Sequence, residues 1–177
     1  VAYVPLSADA AIAESAGKDF CFKNNTDYPI YIEGITTPER RVTFNIYGAR
    51  GLTLEAEYEA LASVIRYVDP DFVLLQEVDS CTRRQAELPC NSAIKLTEIL
   101  DTTTIYDWSY NYSPAEFNLY GQGGAYGDAI LTKHKILWEK DYQMTYASEH
   151  NDDPQKEKRS VGVIKVSIDD KDIYVGC

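Results

Sequence analysis

Between residues 41 and 77 the hydrophobic pattern changes period twice, and this constrains the fold more than any other feature of the chain. Val42, Phe44 and Ile46 alternate with Thr43, Asn45 and Tyr47, the period of two expected of a half-buried strand. Gly48 and Gly51 break that pattern. Leu54, Tyr58, Leu61, Val64, Ile65 and Val68 then fall on one helical face. Thr53 is the candidate N-cap, and Glu55 and Glu57 suit the positive end of the helix dipole. Asp69-Pro70 stops the helix, and Phe72-Val73-Leu74-Leu75 follows as a strand apolar at every position, expected to be covered on both faces.

Strand, helix and strand in this space make a βαβ unit, whose two strands run parallel with a right-handed crossover. Their carboxyl ends therefore share one rim, where parallel α/β sheets place their ligands. Asn45 lies near the end of the first strand and Glu77 at the end of the second, 32 positions apart and expected to be neighbours in space. A carboxylate beside an amide suits a hard divalent cation and a phosphate oxygen. Glu77 would hold the metal, and Asn45 would hydrogen-bond phosphate or a metal-bound water. The bland alternatives are a solvated acid at a strand end and a local turn asparagine.

Around this unit the chain carries shorter signals. Ala-rich residues 8–16 are compatible with one or two helical turns, and the turn cluster Asn24-Asn25-Thr26-Asp27 leads into a short strand, Tyr28 to Ile32. Ala93, Ile94, Leu96, Ile99 and Leu100 predict a helix, and Tyr106, Trp108, Tyr110 and Tyr112 a strand whose aromatic face packs inward. The Gly-rich loop 121–127 lacks the Lys-Ser/Thr of a P-loop and reads as a hairpin or rim loop. Short alternating pieces at 136–138, 142–146, 160–168 and 172–176 predict an antiparallel meander, its last two members joined by a turn at Asp169-Asp170. The fold class is α/β of the mixed α+β kind.

A formal net charge of -11, from 28 acidic and 17 basic residues, argues against a partner such as duplex nucleic acid, which needs a basic face. A phosphoester substrate that is small, or linked to lipid or sugar, fits better. Only Arg40-Arg41 and Arg83-Arg84 offer paired positive charge. No apolar run approaches the roughly 18 residues of a membrane helix. Cys21, Cys81, Cys90 and Cys177 form no CxxC pair or zinc spacing; Cys81 and Cys90 bracket a short polar loop that a disulfide could close, with free thiols as the other reading. Secretion or the cell envelope is slightly favoured over the cytoplasm on this ground.

Several segments carry a resemblance. Arg41-Val-Thr-Phe-Asn-Ile, the amphipathic helix, Pro70-Asp-Phe-Val-Leu-Leu-Gln-Glu77-Val-Asp79, Thr82-Arg83-Arg84, Tyr126-Gly-Asp128-Ala-Ile-Leu-Thr132 and Glu157-Lys-Arg159 resemble the N-terminal half of the endonuclease/exonuclease/phosphatase superfamily over about residues 41–177. The resemblance implies half of a four-layer α/β/β/α sandwich with a mixed sheet, and phosphoester hydrolysis with Mg²⁺ or Mn²⁺. It makes Glu77 the metal ligand and Asn45 the phosphate-side amide, with Arg159 a third catalytic group and Arg83, Arg84 and Tyr126 near the substrate. The family's next motif, Thr-His-Leu-Asp, is expected just beyond Cys177, together with later Gly-Asp-Phe-Asn and Asp-His segments. Asp128 stands where the family often has Asn, and neither His134 nor His150 matches a catalytic position.

Residues 9–32 are similar to the closing stretch of a VanW-like domain, a bacterial cell-envelope family. The expected organisation is a VanW-like tail over 1–40 and a shortened phosphoesterase domain over 41–177. Hydrolysis is then expected to be impaired, a non-catalytic envelope module is the alternative, and an exposed sheet would favour self-association.

Overall fold

The computed structural model describes residues 2–5, 20–23, 29–32, 40–50, 57–83, 91–118, 123–144 and 158–177. Three short strands, β1 (Ala2–Pro5), β2 (Phe20–Lys23) and β3 (Pro29–Ile32), form one sheet in which β1 and β2 are parallel and β3 is antiparallel to β2. The strand expected at Tyr28 to Ile32 is β3. The suggested helical turns at 8–16 lie outside the described residues.

The βαβ unit is β4 (Arg41–Asn45), α1 (Tyr58–Val68) and β5 (Phe72–Ser80), with β4 and β5 parallel. Thr53 and the first expected helical residues lie outside the described segments; α1 begins after Glu57, which makes no side-chain cap. Its end follows the sequence closely. Asp69 takes the left-handed conformation (φ 50°), donates its N–H to Ile65 O, and Pro70 forbids continuation. α2 (Ser92–Thr103) starts at Asn91, whose side chain accepts from the N–H groups of Ala93 and Ile94 at 2.9 and 3.3 Å.

β6 (Ser109–Phe117) and β7 (Ala125–Thr132) complete a four-stranded mixed sheet of order β4-β5-β7-β6. Alternation divides its side chains cleanly. Val42, Phe44, Val73, Leu75, Ala129 and Leu131 face α1 and α2, packing on Ala62, Ile65, Ala93, Leu96 and Leu100. Phe72, Leu74 and Ile130 face the other way, onto Ile164, Val166 and Val175. Those belong to a second sheet of order β10-β9-β8, made of β8 (Trp138–Met144), β9 (Arg159–Ile168) and β10 (Lys171–Gly176). Both of its pairings are antiparallel, as the expected meander requires. Asp169 and Asp170 both have positive φ, 49° and 60°, which lets a two-residue turn match the strand twist. The described layers are thus helices, mixed sheet and antiparallel sheet, with no second helical layer among the described residues.

The aromatic stripe divides rather than packing as one face. β6 begins only at Ser109; Trp108 is buried, Tyr106 and Tyr112 pack partly into the helix-side core, and Tyr110 is exposed. Cys81 is disulfide-bonded and Cys177 is a free thiol; Cys90 lies outside the described residues. Among the described residues no helix is long and apolar enough to cross a membrane.

Candidate functional site

The parallel ladder of β4 and β5 runs from Arg41 opposite Phe72 to Asn45 opposite Gln76, so both strands deliver their carboxyl ends to one edge. Asn45, alternating with Val42 and Phe44, falls on the face turned towards the second sheet. Glu77 would not follow it in a regular strand. Val73 and Leu75 face the helices, and the same alternation would bury the Glu77 carboxylate among them. A β-bulge prevents this. Pairing with β7 jumps from Leu75–Ala129 to Val78–Gly127, Val78 takes up the helix-facing role, and Glu77 adopts φ 58°. The expected strand end at Glu77 is not observed: β5 continues to Ser80, and Glu77 sits where the parallel ladder stops.

Asn45 Nδ2 donates to Glu77 Oε1 at 2.7 Å, and Asn45 Oδ1 accepts from the Tyr47 N–H at 3.1 Å. With donor and acceptor both engaged, the orientation of the amide is fixed. The backbone that makes this possible is the turn Tyr47–Ala49, all three residues having positive φ (49°, 67° and 60°). Gly48 is needed there twice over. Its φ is left-handed, and a Cβ would stand 2.7 Å from Oδ2 of the buried Asp79, which also accepts from Thr82 Oγ1 at 3.1 Å.

Asp128, on the same face of β7 as Tyr126 and Ile130, joins this pair. Burial pushes its carboxyl up from 3.8 to about 6; Arg159 and the Glu77 N–H draw it down, while the Glu77 charge pushes it further up. Two carboxylates and one guanidinium thus meet at the rim. Behind them Gln76 ties three strands together: Nε2 donates to Thr43 Oγ1 at 3.0 Å and to Cys177 Sγ at 3.2 Å, and Oε1 accepts from Thr43 Oγ1 at 3.2 Å. Burial pushes the Cys177 thiol up to about 12, so it packs as a neutral group.

The structure therefore brings Asn45, Glu77 and Arg159 to one rim, with Tyr126 half-buried on the same face. Arg83 stands exposed on the turn after β5, and Arg84 lies outside the described residues. Asp128 and Gln76 were missed as site residues. Asp128 was legible through the resemblance, as an acid standing where the family often has Asn, and Gln76 only as the polar neighbour of Glu77. His134 belongs elsewhere: its Nε2 lies 3.0 Å from Asp71 Oδ1, at the opposite end of the sheet, and His150 is outside the described residues.

As a cation site the rim offers hard oxygens from Glu77 and Asp128 and the amide of Asn45. No group of three His, Cys, Asp or Glu side chains occurs among the described residues. Two carboxylates suit Mg²⁺, which retains several waters and takes its remaining oxygens from phosphate. The adjacent charges of Glu77 and Asp128, whose repulsion a cation would relieve, fit such an ion.

The family described as "Endonuclease/Exonuclease/phosphatase family" matches residues 42–168. This chain belongs to that family. Its members hydrolyse phosphoester bonds and typically use divalent metals. In fold it is similar to an endonuclease/exonuclease/phosphatase family protein from Leptotrichia buccalis C-1013-b, at 21% identity and TM-score 0.60, over 76% of this chain and 51% of that one. It is also similar to an endonuclease/exonuclease/phosphatase from Beutenbergia cavernae DSM 12333, at 23% identity and TM-score 0.58, over 77% of this chain and 36% of that one. The chain thus spans about half and about a third of the lengths of these two structures. No match was found among curated proteins.

Proposed function

We propose that the rim around Glu77 is the metal- and phosphate-binding part of a divalent-metal-dependent phosphoester hydrolase. The observation that carries this reading is the 2.7 Å contact between Asn45 Nδ2 and Glu77 Oε1, made across two parallel strands at a strained bulge. Glu77, aided by Asp128, would hold Mg²⁺ or Mn²⁺; when bound, the ion supplies Lewis-acid polarisation of a phosphoryl oxygen. Asn45 donates a hydrogen bond to a phosphate oxygen in exchange for its contact with Glu77. Arg159 supplies fixed positive charge where negative charge grows in the transition state, and Tyr126, Arg83 and Arg84 contact the substrate. Among the described residues no histidine stands at the rim.

The substrate is a small, lipid-linked or sugar-linked phosphoester, because a chain of net charge -11 repels duplex nucleic acid. The disulfide at Cys81 supports a secreted or cell-envelope location. Trp138, Tyr142, Met144 and Tyr174, exposed on the second sheet, support self-association, for which the mass in size-exclusion chromatography is the check.

Calorimetric titration with Mg²⁺ and Mn²⁺ tests the central assignment. Binding should be saturable in the native chain and lost in Glu77→Ala; equal binding by both removes the role of Glu77. The VanW-like reading of residues 1–40 keeps a separate test. Deleting them should abolish cell-wall binding if that segment directs it.

A further inference from the structure

A covalent tie stands beside the rim, and nothing in the proposed hydrolysis uses it. Cys81 is disulfide-bonded and exposed, immediately after β5. Its partner follows from register. Ser80 and Asn91 form an antiparallel bridge, reinforced by Asn91 Nδ2, which donates to Ser80 Oγ at 3.2 Å. The next pair inward in that register is Cys81 and Cys90. Residues directly opposite in antiparallel strands have Cα atoms about 4.5–5.5 Å apart, within the span that a disulfide bridges. Cys177 is a free thiol and Cys21 lies on β2 of another sheet, which leaves Cys90 as the partner that the register supplies.

The tie sits where three segments around the rim meet. Thr82, the residue after Cys81, is buried and donates from Oγ1 to Oδ2 of the fully buried Asp79 at 3.1 Å. The same oxygen lies 2.7 Å from where a Cβ on Gly48 would stand, so the Tyr47–Ala49 turn rests on that carboxylate. This turn supplies the Tyr47 N–H that fixes Asn45 Oδ1, and Asn45 in turn donates to Glu77. On the other side, a Cβ on Gly124 would collide with Ser80 O and with the backbone of Cys81. The entry to β7, the strand that carries Tyr126 and Asp128, therefore packs on the same peptide. Cys81 itself has left-handed backbone, φ 58°, as do Tyr47, Gly48, Ala49, Glu77 and Gly124 around it. A residue with a Cβ keeps that conformation only where its surroundings over-determine it, and for Cys81 the covalent bond is such a constraint.

We propose that the Cys81 disulfide is a reducible clamp on the rim. Closed, it holds Thr82, Asp79 and Gly48 so that Asn45 and Glu77 stand aligned for the ion; opened by a dithiol reductant, it releases them. The inference rests on the reading of Glu77 as the group that holds the metal. Exposed disulfides are the ones that thiols reach and reduce. One thiolate of the reductant attacks a sulfur of the disulfide, breaking the S–S bond and forming a mixed disulfide. The reductant's second thiol then attacks its own sulfur in that mixed disulfide. Two electrons and two protons pass to the protein, which ends with two thiols, and the reductant ends as a disulfide. Cys81 and Thr82 are thus positioning residues, acting on the ion only through Asp79 and the turn.

The test compares the full chain oxidised, reduced with dithiothreitol, and as Cys81→Ser/Cys90→Ser. Peptide mapping of the oxidised chain should show Cys81 linked to Cys90; a link to Cys21 overturns the assignment. The reduced chain should bind Mg²⁺ about tenfold more weakly than the oxidised chain and recover on reoxidation. The serine variant should match the reduced chain and ignore dithiothreitol. A merely structural tie would lower Tm and leave the Asn45 side-chain NH₂ resonances in place, whereas the clamp requires them to shift on reduction of the metal-free protein. Thr82→Val, which keeps the disulfide, should reproduce part of both changes, and it decides the matter if the reduced chain unfolds. If the oxidised chain binds no Mg²⁺, the metal role of Glu77 fails and the clamp stands or falls on the Asn45 resonances. Equal, measurable Mg²⁺ affinity in the two redox forms, or Asn45 resonances that respond neither to reduction nor to Thr82→Val, overturns the proposal.

Discussion

The two ends of the mixed sheet handle charge in opposite ways. At the end where β4 and β5 begin, Arg40, Asp69, Asp71, Tyr106, Lys133 and His134 line an open cleft, and the charged groups there are partnered. Asp71 accepts from Arg40 N at 2.8 Å and contacts His134 Nε2 at 3.0 Å; Lys133 pairs with Asp69 and lies 4.2 Å from the Tyr106 ring centroid. Arg40 Nη1 donates to Val68 O at 3.3 Å. That end fastens the start of β5 to the end of α1 and to the residues after β7. At the other end, Glu77 stands on left-handed backbone and its charge reaches Asp128, with Arg159 alongside. The cleft is thus the fastened end, and the proposed site lies at the other. The proposed site rests on strain and like-charge proximity rather than on concavity.

The contrast can be broken by substitution. The largest effect is expected from Gly48→Ala, which forces a Cβ against Asp79 at a left-handed φ; the cost should be about 2–4 kcal/mol, read as a lower urea midpoint. Asp71→Ala, at the fastened end, leaves the Arg40 N–H and His134 without their acceptor and should cost about 1–3 kcal/mol, while Mg²⁺ titration stays unchanged. If Asp71→Ala altered metal binding instead, the division between the two ends would fail.

Asp128→Asn should have the opposite sign. The Asp128 carboxyl titrates at about 6 in the folded chain against an ordinary 3.8, so its contribution to stability is full below the ordinary value and is lost as pH rises through about 6. Removing the charge should stabilise the metal-free protein at pH 7.5. The whole shift is worth about 3 kcal/mol, which partial solvation reduces to about 1–2, and the gain should vanish below pH ~4. Denaturant melts at the two pH values decide this. The smallest change is expected from Glu77→Gly, which relieves the left-handed strain and should raise stability by up to about 1 kcal/mol while losing the response to Mg²⁺. A loss of stability would mean that the bulge is held by the glutamate rather than endured for it.

Much of the architecture was legible because it is written in local periodicity. β4, α1, the start of β5 and the C-terminal meander follow from alternation, helical spacing and breakers such as Asp69-Pro70. The N-terminus of α2 was legible only in its apolar face, since Asn91 acts as a cap through neighbours that a hydrophobic pattern does not show. The aromatic stripe misled for a related reason. Alternation reports which residues share a face, but Tyr110 and Trp108 differ in what covers them, and that is settled by distant elements.

The sequence by itself determined that β4 and β5 run parallel and that Asn45 and Glu77 leave the sheet along one edge, because strand and helix periods are set within a few residues of each position. Only the tertiary structure decided that Glu77 turns away from the helix-side core, because the bulge arises from pairing with β7, a strand about fifty residues further along the chain. It also decided that Asp128 and Arg159 complete the rim, since separate strands must dock in register before their side chains can feel one another's charge.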